Sequence, residues 1–147
     1  MTWLLFVVAF AIGGFVTLQT GSNTRLKEAL GEPLVALILS SSIGVGALIA
    51  IATMARRPWP SVEQLAAASW WAWLGGLLGA AYAVVVVLLA KPLGAAPLTA
   101  ALVTGQLACS VVLDHFGWVG FEQHAAHPLR LVGCVLMIVG FVLIARF

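Results

Sequence analysis

Charge is what this sequence has least of. Seven Lys/Arg and five Asp/Glu make up 8% of 147 residues, where a soluble domain carries about 25%. So few ionic groups cannot cover a water-facing surface, which excludes an ordinary soluble enzyme. They also exclude a disordered chain, which needs low hydrophobicity and high charge. The densest basic pair is Arg56–Arg57, too little to grip a phosphate backbone, so nucleic acid is not expected as a partner. Cysteine is scarce too. Cys109 and Cys134 both lie in apolar stretches and read as small buried hydrophobes rather than a disulfide framework or a four-ligand zinc site. There is no G-x-S-x-G elbow, no H-E-x-x-H helix and no phosphate-binding glycine loop. No enzymatic activity, metal or cofactor is therefore expected.

What the chain has is hydrocarbon. Hydrophobic types form 63% of it and its mean hydropathy is +1.12. A helix needs about 20 apolar residues to cross the roughly 30 Å bilayer core. Five runs meet that need, giving expected spans at about 2–20, 33–54, 69–90, 97–114 and 129–146 of one domain covering 1–147. The runs are continuous, without the alternation of a membrane barrel. The fold class expected is all-α integral membrane. The first run has no basic n-region and no A-x-A site after it, so it is expected to be a permanent span.

The connectors follow helix-terminus chemistry. Thr20 to Glu32 holds Arg25, Lys27, Glu28 and Glu32 and reads as a polar turn or short interfacial helix. Gly31 can end it, and Pro33 can start the next helix. Arg56-Arg57-Pro58-Trp59-Pro60 stops span two, and Ser61 with Gln64 forms a capping box. Lys91-Pro92-Leu93-Gly94 is expected to break the chain between spans three and four, and Asp114 to Pro128 is the longest polar connector. Trp3, Trp59, Trp70, Trp71, Trp73 and Trp118 all lie near span ends, at headgroup depth. Gly75 and Gly79 give span three a small-residue helix-packing face.

Five spans put the termini on opposite sides. The side of the N-terminus then holds Arg56, Arg57 and Arg130, and the other holds Arg25, Lys27, Lys91 and Arg146. Orientation follows the excess of Lys and Arg, and three against four is almost none. A chain without bias can insert both ways. Two copies in opposite orientations can then pair about an axis in the membrane plane, as the halves of inverted-repeat transporters do.

Polar groups within hydrocarbon are the candidate functional residues. Gln19 and Asn23 are four apart and share a helix face if span one continues. Ser40, Ser41 and Ser42 lie in span two and Tyr82 in span three. Gln106, Ser110 and Asp114 descend one face of span four in steps of four, ending at Asp114-His115. The serines can equally satisfy themselves on carbonyls four residues back. Gln106 and Tyr82 can bridge helices or line a wet cavity. Asp114 can pair with Arg130 or His115. No carboxylate lies at a span centre, so a strongly cationic substrate is not favoured.

These residues also form a pattern. Gly13 to Gln19 and Asn23 lead to Gly31-Glu32-Pro33 and the serine-rich span. Trp70-Trp71-Ala72-Trp73-Leu74-Gly75-Gly76-Leu77-Leu78-Gly79 follows. Gly105-Gln106, Ser110, Asp114-His115-Phe116-Gly117, Arg130 and Gly133 complete it. Over nearly its whole length the chain resembles the bacterial DUF606 family of the drug/metabolite transporter (DMT) superfamily. It departs at Ser69, where the family pattern often has Pro. The resemblance implies five-helix proteins of dual topology and an antiparallel homodimer forming a ten-helix inverted-repeat transporter. It leaves the substrate open.

The function expected is a secondary-active, multi-pass transporter of the bacterial inner membrane, exporting a small, partly apolar metabolite or toxic compound by alternating access. Its partners are a second copy in opposite orientation, the lipid bilayer and the small-molecule substrate. Substrate contacts are expected from Gln19, Asn23, Ser41, Trp70, Trp71, Tyr82, Gln106 and Ser110, with Asp114 and His115 as coupling or gating groups. The alternatives are a lipid- or amphiphile-handling or scaffold protein with no transport, and a membrane enzyme using Asp114, His115, His124 or His127.

Overall fold

The computed structural model describes residues 2–147; Met1, the first residue of the expected domain, lies outside the described residues. Every regular element among them is a helix, with no strand. Five helical segments are long and apolar enough to cross a membrane: Trp3–Leu30, Pro33–Met54, Trp70–Leu93, Ala95–Phe116 and Pro128–Arg146. The helices are α1 (Thr2–Leu30), α2 (Pro33–Met54), the short α3 (Val62–Ala67), α4 (Leu74–Leu93), α5 (Ala95–Phe116) and α6 (Pro128–Arg146).

The polar segment expected as a turn or separate helix is instead the last turns of α1, which has 29 residues. Its threonines explain why. Thr20 Oγ1 donates to the Val16 carbonyl at 3.0 Å and Thr24 Oγ1 to the Thr20 carbonyl at 2.8 Å, so the hydroxyls are satisfied inside the helix. At 1.5 Å per residue, α1 is about 44 Å long and overreaches a ~30 Å hydrocarbon core. Its charged end therefore belongs at headgroup depth. Beyond Gly31, Glu32 caps α2 by accepting from the Leu34 N–H at 3.1 Å, with Pro33 in the first turn. The Ser61–Gln64 capping box forms, with Gln64 N–H to Ser61 Oγ at 3.3 Å and Ser61 N–H to Gln64 Oε1 at 2.9 Å. A 3-10 turn over Trp70–Trp73 then leads into α4.

The expected break at Lys91-Pro92-Leu93-Gly94 narrows to one residue. Pro92 lies inside the last turn of α4, where its missing N–H costs a single hydrogen bond. Gly94 makes the turn at φ +80°, ψ 162°, a region essentially reserved for glycine.

By internal packing the chain forms two units, one ending at Lys91 and the other spanning Pro92–Phe147. In the first, α1 and α2 form an antiparallel hairpin. Asn23 lies seven residues before the end of α1 and Ser40 seven after the start of α2, and the two meet: Ser40 Oγ donates to Asn23 Oδ1 at 2.7 Å. Two lysines tie α1 to α4. Lys27 Nζ donates to the Val87 carbonyl at 3.4 Å. Lys91 Nζ lies 3.1 Å from Glu28 Oε1, whose other oxygen takes Arg25 Nη1 at 3.2 Å. In the second unit α5 packs on α6, and Thr104 Oγ1 reaches the Met137 carbonyl at 3.5 Å.

Among the described residues the buried hydrophobic side chains are Ala36, Leu37, Val86, Val87 and Leu98. Large aliphatic and aromatic side chains such as Phe10, Ile43, Leu77 and Leu136 are exposed on the long helices. In water that surface would drive aggregation; in a bilayer it is the lipid- or partner-facing surface that the composition calls for.

The α5–α6 connector turns at Gly117, which caps α5 in the left-handed region at φ +65°. A Cβ there would also lie 3.3 Å from Gln123 Cβ. Gly117→Ala is expected to lose roughly 1–2 kcal/mol, the cost of a left-handed non-glycine residue. The purified protein should then unfold at a lower temperature; an unchanged midpoint would show that the connector contributes nothing to stability.

Candidate functional site

The polar residues picked out in the spans fall in both units, and each unit is described by itself. Gln19 and Ser41 are exposed on α1 and α2. Asn23 is half-buried and takes the Ser40 hydroxyl, so the serine that meets it is the neighbour of Ser41. Trp70 and Trp71 are exposed in the 3-10 turn, and Tyr82 is exposed on α4. Gln106 is exposed on α5.

Ser110 and Asp114 do come together, in a groove of about 400 Å³ between α5 and α6. Helix α5 supplies Leu107, Ser110, Val111 and Asp114, and α6 supplies Arg130, Gly133 and Met137. The spacings explain the shared wall. Offsets of three, four and seven on α5, and of three and seven on α6, each define one helix face. The groove is graded, with charge at the connector end and Leu107 and Met137 at the other. Gly133 keeps the α6 wall open, since a Cβ there would meet nothing within 4 Å.

Arg130 Nη1 lies 3.5 Å from Asp114 Oδ2, and their side chains are 45% and 30% exposed. This is a loose, half-solvated pair, the kind worth only about 0–1 kcal/mol. Each member also opposes its own helix. Asp114 is in the last turn of α5, at the negative end of that helix dipole, and Arg130 is in the first turn of α6, at the positive end. Each placement costs about 0.3–1 kcal/mol where the opposite sign would gain as much. Local helix stability does not account for this pair. Departures of that kind occur at functional or strained sites.

His115, expected as a coupling or gating group, makes two contacts within the connector. Its Nδ1 accepts the Ala126 N–H at 3.1 Å, and its carbonyl accepts Gln123 Nε2 at 3.1 Å. The Asp114 carbonyl takes the His124 N–H at 2.7 Å. His127 caps α6, its Nδ1 accepting the Leu129 N–H at 3.3 Å. No cluster of three or more His, Cys, Asp or Glu able to hold a metal occurs among the described residues. Arg130 was not among the expected site residues; it counted as a charge for orientation, as one partner for Asp114 and as part of the family pattern. The readable signal was its place in the first turn after Pro128, matching the place of Asp114 in the last turn before Gly117.

Three comparisons bear on this arrangement. The family model described as "Putative inner membrane exporter, YdcZ" matches residues 4–143. The chain is 28% identical to the inner membrane protein YdcZ of Escherichia coli (strain K12), across 97% of this chain and 94% of that protein. No solved structure matches.

Proposed function

This chain belongs to the YdcZ inner-membrane exporter family of the drug/metabolite transporter superfamily, and from that premise we propose that it is a secondary-active exporter working as an antiparallel pair. It is a multi-pass protein of the bacterial inner membrane. In the proposed mechanism two copies of opposite orientation make ten helices, each contributing half of the transport path. Alternating access arises as the copies exchange conformations about the in-plane axis. The cargo is a small, partly apolar compound.

The observation that carries the reading is the α5–α6 groove. It is the place where two of the polar span residues, Ser110 and Asp114, share a wall with apolar side chains and a second charge. Asp114 and Arg130 gate it: the loose pair closes the groove when empty and opens for cargo. The near-even split of Lys and Arg, three against four, supports insertion in both orientations. Glu28, held between Arg25 and Lys91, is a structural brace in this scheme.

The test is a comparison of growth media from cells that make the protein and cells that lack it. One class of small solute is expected to accumulate outside the producing cells. Ser110→Leu, which fills the groove, should abolish that excess at equal protein abundance in the membrane. Media of identical composition would overturn the proposal.

A further inference from the structure

The groove between α5 and α6 carries more information than a transporter in general requires: two charges of opposite sign at one end and an apolar wall at the other. We propose that it binds a zwitterion with an apolar body, the cationic group of the ligand on Asp114 and the anionic group on Arg130. This rests on the reading of the groove as a ligand site and names the class of ligand.

A ligand binds here by exchanging partners with the ion pair. A ligand of one sign would take one member of the Asp114–Arg130 pair and leave the other, half-exposed at a helix end that disfavours its sign, without a counter-charge. A ligand with both signs replaces one loose ion pair, 3.5 Å long, by two charge-assisted ones. Sign selection follows without any further residue.

Shape points the same way. Leu107, Val111 and Met137 give the groove its apolar wall, and Gly133 leaves space on the α6 side. Its volume, about 400 Å³, is in the lower part of the range for small-molecule sites, about 300–1,000 Å³. Ser110, one turn below Asp114 on the same wall, offers a hydroxyl to a neutral polar atom next to the charged end. The helix dipoles set the opposition. Both charges sit where their own helix disfavours them, so each gains from a counter-charge supplied from outside the helix.

This chemistry has two sources: a free zwitterionic solute with an aliphatic or aromatic body, and the zwitterionic headgroup of a membrane lipid such as phosphatidylethanolamine. The experiment separates them. The full-length protein is placed in nanodiscs of phosphatidylglycerol alone, which offers no zwitterion, and its thermal unfolding is followed with three compounds of one carbon skeleton. These are leucine (both charges), 3-methylbutylamine (the cation alone) and 4-methylpentanoate (the anion alone). In a second arm phosphatidylethanolamine replaces part of the lipid.

Stabilisation by leucine, at concentrations at least about tenfold below those needed for either singly charged analogue, supports the free-solute source. Stabilisation by phosphatidylethanolamine with no leucine effect supports the headgroup source. Asp114→Asn should then invert the preference: zwitterion binding weakens and 4-methylpentanoate binding strengthens, because Arg130 is left without a partner. Equal potency of the three compounds overturns the proposal, as does stabilisation by neither leucine nor phosphatidylethanolamine. The wild-type series decides by itself if the variant does not fold. Binding is read without transport, so a negative result removes the zwitterion while leaving export to the growth-medium comparison.

Discussion

Two copies of this protein locked in opposite orientations are expected to restore together the export that each loses alone. The first lock is Arg56→Asn with Arg57→Gln. Asn suits the position because Arg56 has φ +48°, which Asn tolerates better than most residues. It leaves one basic residue on the N-terminal side against four on the other. The second lock is Arg25→Gln and Arg146→Gln with Glu63→Lys, which gives four against two in the opposite sense. Glu28 keeps its contact with Lys91 when Arg25 is lost. By the positive-inside rule each variant should insert predominantly one way. Export by either alone should fall to background and return on co-expression. Full export by each variant alone would rule out the antiparallel pair as the working unit.

The second large effect separates stability from activity at the groove. Exchanging the charges, Asp114→Arg with Arg130→Asp, keeps an ion pair between α5 and α6 but puts each sign at the helix end that favours it. Each reversed charge turns a cost of about 0.3–1 kcal/mol into a gain of similar size, so the exchanged protein should be more stable by roughly 1–4 kcal/mol. Thermal unfolding in detergent reads this directly. Export should nevertheless fall at least about tenfold, since cargo meets inverted charges, and one charge-assisted hydrogen bond is worth about 1.5–3 kcal/mol. A gain in stability with a loss of activity is the behaviour of residues held in place for function. A protein less stable than wild type, or one that still exports fully, would mean that the pair serves only to hold α5 to α6.

The five apolar helices were legible because hydrocarbon demands long continuous runs, and little else in a sequence imitates them. Caps were legible where the chemistry is local: Ser61 with Gln64, and Pro33 in the first turn of α2. The length of α1 was not, because Arg25, Lys27, Glu28 and Glu32 mark its end as a polar connector, and only the structure shows the Thr20 and Thr24 hydroxyls bonded back into a continuous helix. Nor was the placement of Pro92, which reads as a breaker yet falls in a last turn where it breaks little. Three consecutive serines look alike in sequence. Only the rotation of α2 against α1 selects Ser40 for Asn23. The groove was half legible. The stripe through Ser110 and Asp114 followed from spacing within one helix, whereas its other wall, Arg130, Gly133 and Met137, depends on how α6 meets α5. Gln106 belongs to the same stripe but is not part of the groove lining. His115, an ionisable residue beside a carboxylate, looks functional in sequence, and its position as the hub of the connector appears only when Ala126 and Gln123 fold back onto it.

Orientation is the most direct measure of the account. With Cys109 and Cys134 replaced by Ala, single cysteines are placed at His124, in the α5–α6 connector, and at Phe147, beyond α6. Intact cells are treated with a membrane-impermeant maleimide before and after permeabilisation. With nearly balanced basic residues, about half of the copies should label from outside at each position, the rest labelling only once the membrane is opened. Complete labelling of one position with complete protection of the other would show a single orientation, and would contradict the antiparallel exporter.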